Sequence, residues 1–259
     1  MAFTTTPGAS GNDFLGTAGV DSLFALNEKG SITVTGLAGD DIIDLSDSNG
    51  VVVPATVKGG DGDDTISFNG AGGVNESVIR NSEINGGKGE DLFTLNGATS
   101  SIIRGNEDAD DFNLAGNYTF ATIAGNQGVD SFVLTAATTL QSSKIVGGND
   151  SDGVMNFTGD TFASVVDSTI NGSKGVDNIS IGTVTLASGF TVFGGQGNDV
   201  ITSNNNGADD IVYSGDLGDD EINTGGADDS ISGGDGIDVM TAGAGDDTVD
   251  GGAGNDVIN

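Results

Sequence analysis

Apolar and polar positions along this chain repeat in a phase that is strictest toward its end. From Gly215 to Asn259 the sequence divides into five consecutive nine-residue units, GDLGDDEIN, TGGADDSIS, GGDGIDVMT, AGAGDDTVD and GGAGNDVIN. The eighth position is always apolar (Ile222, Ile231, Met240, Val249, Ile258), and the sixth is always Asp (Asp220, Asp229, Asp238, Asp247, Asp256). Positions one, two and four are mostly Gly. One apolar residue between polar neighbours, after a Gly-rich stretch, predicts a short strand with one inward side chain, preceded by a tight turn.

The same loop recurs upstream at wider spacing: GLAGDDIID at 36–44, GGDGDDTIS at 59–67, GGKGEDLFT at 86–94, GNEDADDFN at 105–113, GNQGVDSFV at 125–133, GGNDSDGVM at 147–155, GSKGVDNIS at 172–180 and GGQGNDVIT at 194–202. Their Asp residues, Asp41, Asp64, Asp91, Asp110, Asp130, Asp152, Asp177 and Asp199, lie 19 to 27 residues apart. Two residues before each loop stands a β-branched aliphatic: Val34, Val57, Ile84, Ile103, Ile123, Ile145, Ile170 or Val192. After the loop, positions eight and ten are both apolar in pairs such as Ile43/Leu45, Phe93/Leu95 and Phe132/Leu134. Period-two alternation predicts a strand with one buried face. The loop at Asp152 breaks it with Asn156 at position ten, so a bulge or altered register is expected there. The recurring Phe93, Phe112 and Phe132, one per coil, predict a stacked core ladder rather than a ligand platform.

Two nonapeptides make one coil of a parallel β-solenoid, an all-β fold. The middle coils then keep one loop and replace the other with a longer turn. One edge is expected to hold Asp21, Asp41, Asp64, Asp91, Asp110, Asp130, Asp152, Asp177, Asp199, Asp220, Asp238 and Asp256. The other is expected to hold Asp209, Asp229 and Asp247, with Asp209 reopening the second column. Asp13, in the first loop at 8–16, is expected opposite Asp21. This divides the chain into an N-terminal capping coil with degenerate repeats (1–35), a β-helix of long coils with one loop each (36–202), and a regular β-roll with loops on both edges (203–259).

Gly-rich loops turn through positive φ and expose carbonyl oxygens, and the Asp adds a carboxylate. These are the hard oxygen ligands Ca²⁺ prefers, six to eight at a time. One loop supplies too few; two loops stacked one coil apart supply enough. Stacked coils lie about 4.8 Å apart. Neighbouring carboxylates then repel by about 3 kcal/mol at an effective dielectric of 20. A cation between loops reverses that sign, so the sequence predicts folding coupled to roughly ten or more Ca²⁺ ions. Where position four is Asp108 or Asp150 instead of Gly, the side chain either adds a ligand or spoils the turn.

The units resemble the RTX family, the hemolysin-type calcium-binding repeat with consensus GGxGxDxUx. The resemblance implies a calcium-bound β-roll and an exported protein. Members of this kind made of repeats alone include S-layer subunits, adhesins and virion structural proteins.

Charge and composition narrow the function. The chain has 39 acids against 7 bases, a net charge of −32, which leaves no basic patch for nucleic acid. It has no Cys and no His, excluding disulfides, thiolate metal sites, imidazole bases and HExxH zinc centres. No stretch predicts a transmembrane segment. The start, MAFTTTPGASGND, lacks the basic and apolar regions of a Sec leader. No export tail follows Asn259, so either a longer exported chain or another route of release is expected. No GxSxG, P-loop or Rossmann fingerprint occurs, and the chain is expected not to be an enzyme. A polysaccharide lyase would need Arg80, Arg104, Lys88 and Lys144 in one cleft, and nothing in the sequence puts them there.

The expected role is a calcium-dependent structural protein of a cell surface, adhesin or virion. Its expected partners are copies of itself, other surface or virion proteins, and anionic polysaccharide bridged by Ca²⁺. The rival reading is the calcium-folding module of a larger secreted enzyme or toxin.

Overall fold

A computed structural model describes residues 4–5, 13–24, 31–45, 54–68, 79–134, 138–152, 154–157, 164–185, 187–205 and 210–259. Among these, every regular element is a β-strand. The strands form two sheets in which parallel neighbours are successive coils. The first face runs through Ile32–Ala38, Ala55–Asp61, Glu83–Lys88 and their successors to Thr248–Ala253. The second runs through Ile42–Asp44, Thr65–Phe68, Leu92–Thr99 and successors to Val257–Ile258. The chain is a parallel β-solenoid, as the period predicts.

The core lies between the faces. The aliphatic two residues before each loop is buried on the first face, from Val34 to Val192, and pairs in register with its counterparts, as Ile84 does with Ile103 and Ile103 with Ile123. On the second face Phe93, Phe112 and Phe132 stack with centroids 4.6 and 4.7 Å apart and rings within 5° of parallel. Parallel in-register stacking puts identical side chains over one another, which is why one residue type per coil suffices.

The coil after Asp152 shifts as expected. Phe132 pairs with Met155, and Met155 with Ile179, so the inward residues are Met155 and Phe157, one later than the spacing elsewhere. Gly153 lies outside the described residues.

The long coils carry a further short strand column: Ile79–Arg80, Ala98–Thr99, Tyr118–Thr119, Thr139–Gln141, Ser164–Val166 and Ala187–Ser188. It ends at a corner where a single residue takes a left-handed φ of 47 to 63°: Asn81, Ser100, Phe120, Ser142, Asp167 and Gly189. At the N-terminal end Thr4–Thr5 pairs antiparallel with Asp13–Leu15, covering the edge of the first sheet. Asp13 lies in that strand beside Thr33, one position past the edge column.

Candidate metal-binding columns

Asp21, Asp41, Asp64, Asp91, Asp110, Asp130, Asp152, Asp177, Asp199, Asp220, Asp238 and Asp256 share one edge of the solenoid. Each backbone N–H in this series donates to Oδ1 of the next Asp, at 2.8 to 3.1 Å. Every member through Asp238 is buried.

The second oxygen is treated differently. In Asp41, Asp64, Asp91, Asp110, Asp130, Asp152, Asp177, Asp199, Asp220 and Asp238, Oδ2 is buried with no hydrogen-bond partner. Buried acceptors of this kind are rare in native proteins. Oδ2 lies against the loop's first glycine, where a Cβ would overlap it, as at Gly36, Gly59 and Gly86. The same Cβ would meet the carbonyl oxygen of the next coil's first glycine, for example Gly59 O from Gly36 and Gly86 O from Gly59. Carboxylate and carbonyl oxygens therefore face one small space between coils. Among the described residues no three acidic side chains form a metal cluster by themselves, so carbonyls have to complete any shell.

Asp21 differs: Thr17 donates its N–H and its hydroxyl to Oδ2, at 2.5 and 2.8 Å. The second column contains Asp229, whose N–H donates to Asp247 Oδ1 at 2.8 Å and whose Oδ2 is likewise orphaned. Asp209 lies outside the described residues. The residue in register with Asp229 one coil earlier is Ile211, whose N–H donates to Asp229 Oδ1 at 3.1 Å. Eighteen residues per coil, counted back from Asp229, lead to Ile211, not Asp209.

The position-four acids hold the loops. Asp108 takes φ +73° and accepts the Gly89 N–H at 3.1 Å; Asp150 accepts the Gly128 N–H at 3.0 Å. Each side chain caps the loop one coil earlier. Of the cations weighed for a cleft, Arg104 pairs with Glu83 and Lys88 with Asp61, at 2.9 and 3.3 Å.

The opposite edge of the middle coils holds a serine ladder that the Asp pattern does not reveal. Ala55 N–H donates to Ser82 Oγ, Ser82 N–H to Ser101 Oγ, Ala121 N–H to Ser143 Oγ, and Ser143 N–H to Ser168 Oγ, at 2.8 to 3.2 Å. Each hydroxyl in turn donates to the carbonyl two residues earlier, at 2.8 to 3.0 Å. Serine fills the place of Asp but closes its own hydrogen-bond account, leaving no orphaned oxygen. Its sequence signal was available: Ser stands two residues before Ile84, Ile103, Ile145 and Ile170, the offset that Asp has to its own inward residue.

The family model for the RTX calcium-binding nonapeptide repeat matches residues 56–71, 203–240 and 223–258. These stretches carry RTX calcium-binding nonapeptide repeats. No curated protein and no solved structure matches the chain.

RTX nonapeptide repeats bind Ca²⁺, and the oxygens described above fit that ion. The orphaned Oδ2 atoms are anionic hard ligands, and the glycine carbonyls beside them are neutral ones. Bound Ca²⁺ would supply the positive charge these carboxylates lack. Without it, burial pushes their protonation upward: Asp91, Asp110 and Asp152 to about 8, Asp64 and Asp130 to about 7, and Asp177, Asp199, Asp220 and Asp229 to about 6. The backbone N–H each accepts offsets this only in part. Asp41 and Asp238 shift upward too, again through burial. The Thr17 N–H holds Asp21 below the usual range.

Proposed function

We propose that this protein is a non-catalytic, extracellular structural component that folds on binding Ca²⁺. It packs with copies of itself, or with other proteins of a surface layer, adhesin or virus particle. One observation carries the reading: orphaned, buried carboxylate oxygens line one edge from Asp41 to Asp238. A column of that length at neutral pH needs cations to be stable, and calcium at about 10⁻⁴–10⁻³ M is an extracellular condition. Loops of the repeat recur along nearly all of the sequence, which supports a scaffold role over a catalytic one. Among the described residues no helix is long and apolar enough to cross a membrane.

Sedimentation velocity in millimolar calcium and in chelator tests this. The expected result is an expanded monomer in chelator and compact, large assemblies in calcium. A compact monomer in calcium overturns the assembly part and favours a folding module of a larger exported chain. Identical sedimentation in both buffers overturns calcium-coupled folding.

A further inference from the structure

The corner beside the serine ladder carries one residue unlike the rest of its row. Successive coils place Asn81, Ser100, Phe120, Ser142 and Asp167 there, each with a left-handed φ of 47 to 51°. Backbone bonds to the next coil fix the row: Ser100 N–H donates to Thr119 O, Phe120 N–H to Gln141 O and Ser142 N–H to Val166 O, at 2.8 to 2.9 Å. Asn and Asp are enriched in that conformation, and a bulky aromatic is an outlier in it. Phe120 is also 63% exposed, the most exposed large apolar side chain among the described residues. Solvation and backbone both favour a small polar residue here, as Ser100 and Ser142 are in the coils on either side. Packing inside the solenoid gives no account of Phe120; a surface laid over it does.

The surroundings of the ring select what can cover it. The corner and the strand ends beside it, 79–83, 98–102, 118–122, 139–144, 164–169 and 187–191, hold two of the chain's 39 acids, Glu83 and Asp167. Glu83 is paired with Arg104 at 2.9 Å. A chain of net charge −32 approaches its own copy most easily where acids are few, because charges within about 8 Å are poorly screened at physiological salt. The row is also self-complementary. Phe120 is its midpoint: Arg80 and Asn81 lie two coils before it and Asp167 two coils after it. A twofold axis through Phe120 sets two such rows antiparallel. It puts ring on ring, Ser100 opposite Ser142, and Arg80 opposite Asp167 of the second copy, twice. Arg80 and Asp167 are both exposed, and among the described residues neither has an ion-pair partner in its own chain. Four coil spacings make the strip about 19 Å long. That is small by the standard of stable dimers, so a weak, reversible contact is expected.

We propose that the serine edge is a self-association surface, a twofold contact between two copies centred on Phe120 and flanked by Arg80–Asp167 pairs. The inference rests on the self-packing proposed above and names the surface that performs it. The test is sedimentation velocity over a concentration series of the calcium-loaded full chain, with circular dichroism and bound calcium measured on each variant. Wild type is expected to pass through a dimer as concentration rises. Phe120→Ser, which copies the residue of both adjacent coils, should weaken that dimer about tenfold or more with fold and bound calcium unchanged. Arg80→Asp and Asp167→Arg should each weaken it, and the double exchange should restore it to near wild type. Val239→Ser, an exposed position on the second face, should change nothing. Association that is unchanged in Phe120→Ser, or that the double exchange does not restore, overturns the inference and leaves self-packing to another face. A wild type that stays monomeric overturns self-packing itself and leaves the corner to a different partner.

Discussion

Asp110 can become Asn without losing its backbone bond. The amide oxygen still accepts the Asp91 N–H that Oδ1 accepts at 2.9 Å, while the amide nitrogen replaces an orphaned anion with a donor. In chelator near pH 5, where the metal-free fold is populated, Asp110→Asn is expected to raise stability by about 1–3 kcal/mol by removing the cost of protonating a carboxylate on burial. The same variant should bind less calcium. Asp110→Ala leaves the buried Asp91 N–H without an acceptor and is expected to lose about 1–3 kcal/mol instead. Urea midpoints and bound-calcium analysis separate the cases; undiminished calcium in Asp110→Asn would remove that carboxylate from the metal shell.

The two edges are elements of different kinds. The Asp edge leaves carboxylate oxygens that an ion would complete, whereas the serine edge is completed by its own hydroxyls. Ser143→Ala removes the acceptor of the Ala121 N–H, 3.1 Å away, and the donor to Gln141 O, 2.9 Å away. It should cost about 1–3 kcal/mol. Because no cation takes part, the loss in urea midpoint should be the same at every calcium concentration that supports folding. A loss that shrinks as calcium rises would mean the serine corner is coupled to metal after all. The serine edge was the harder one to read from sequence. Its corners are Asn81, Ser100, Phe120, Ser142, Asp167 and Gly189, which share a φ and almost no chemistry. The Asp edge was legible because only Gly tolerates Oδ2 and the next coil's carbonyl so close, so identity and geometry coincide. In the second column stacking puts Ile211 in register with Asp229, an apolar residue that the Asp pattern does not mark.

At the scale of the whole molecule, the column makes the metal-free fold acid-favoured. The carboxyls from Asp64 to Asp229 sit near 6 to 8 when folded and near 3.8 when unfolded, so the folded state holds more protons. Their contribution is full below about pH 4 and is lost as pH rises through about 6 to 8. In chelator, circular dichroism should show most structure near pH 4–5 and least above pH 8. Calcium should reverse the trend, because its ligands must be deprotonated. Metal-free structure that increases with pH would contradict the burial of these groups. The Asp bonds also all point one way, from each coil's N–H to the carboxylate of the coil after it. Such a stack has a direction of growth. A coil joining on the N-terminal side brings its N–H to a carboxylate already set, whereas one joining on the C-terminal side has first to place its own. Ordering should therefore start near residues 220–256 and travel toward Asp41, and pulsed hydrogen exchange after calcium addition should find protection in that sequence. The opposite order would mean that the ladder records the finished stack and not its history. If the direction holds, the solenoid closes like a zip whose slider begins at the end of the chain that is made last.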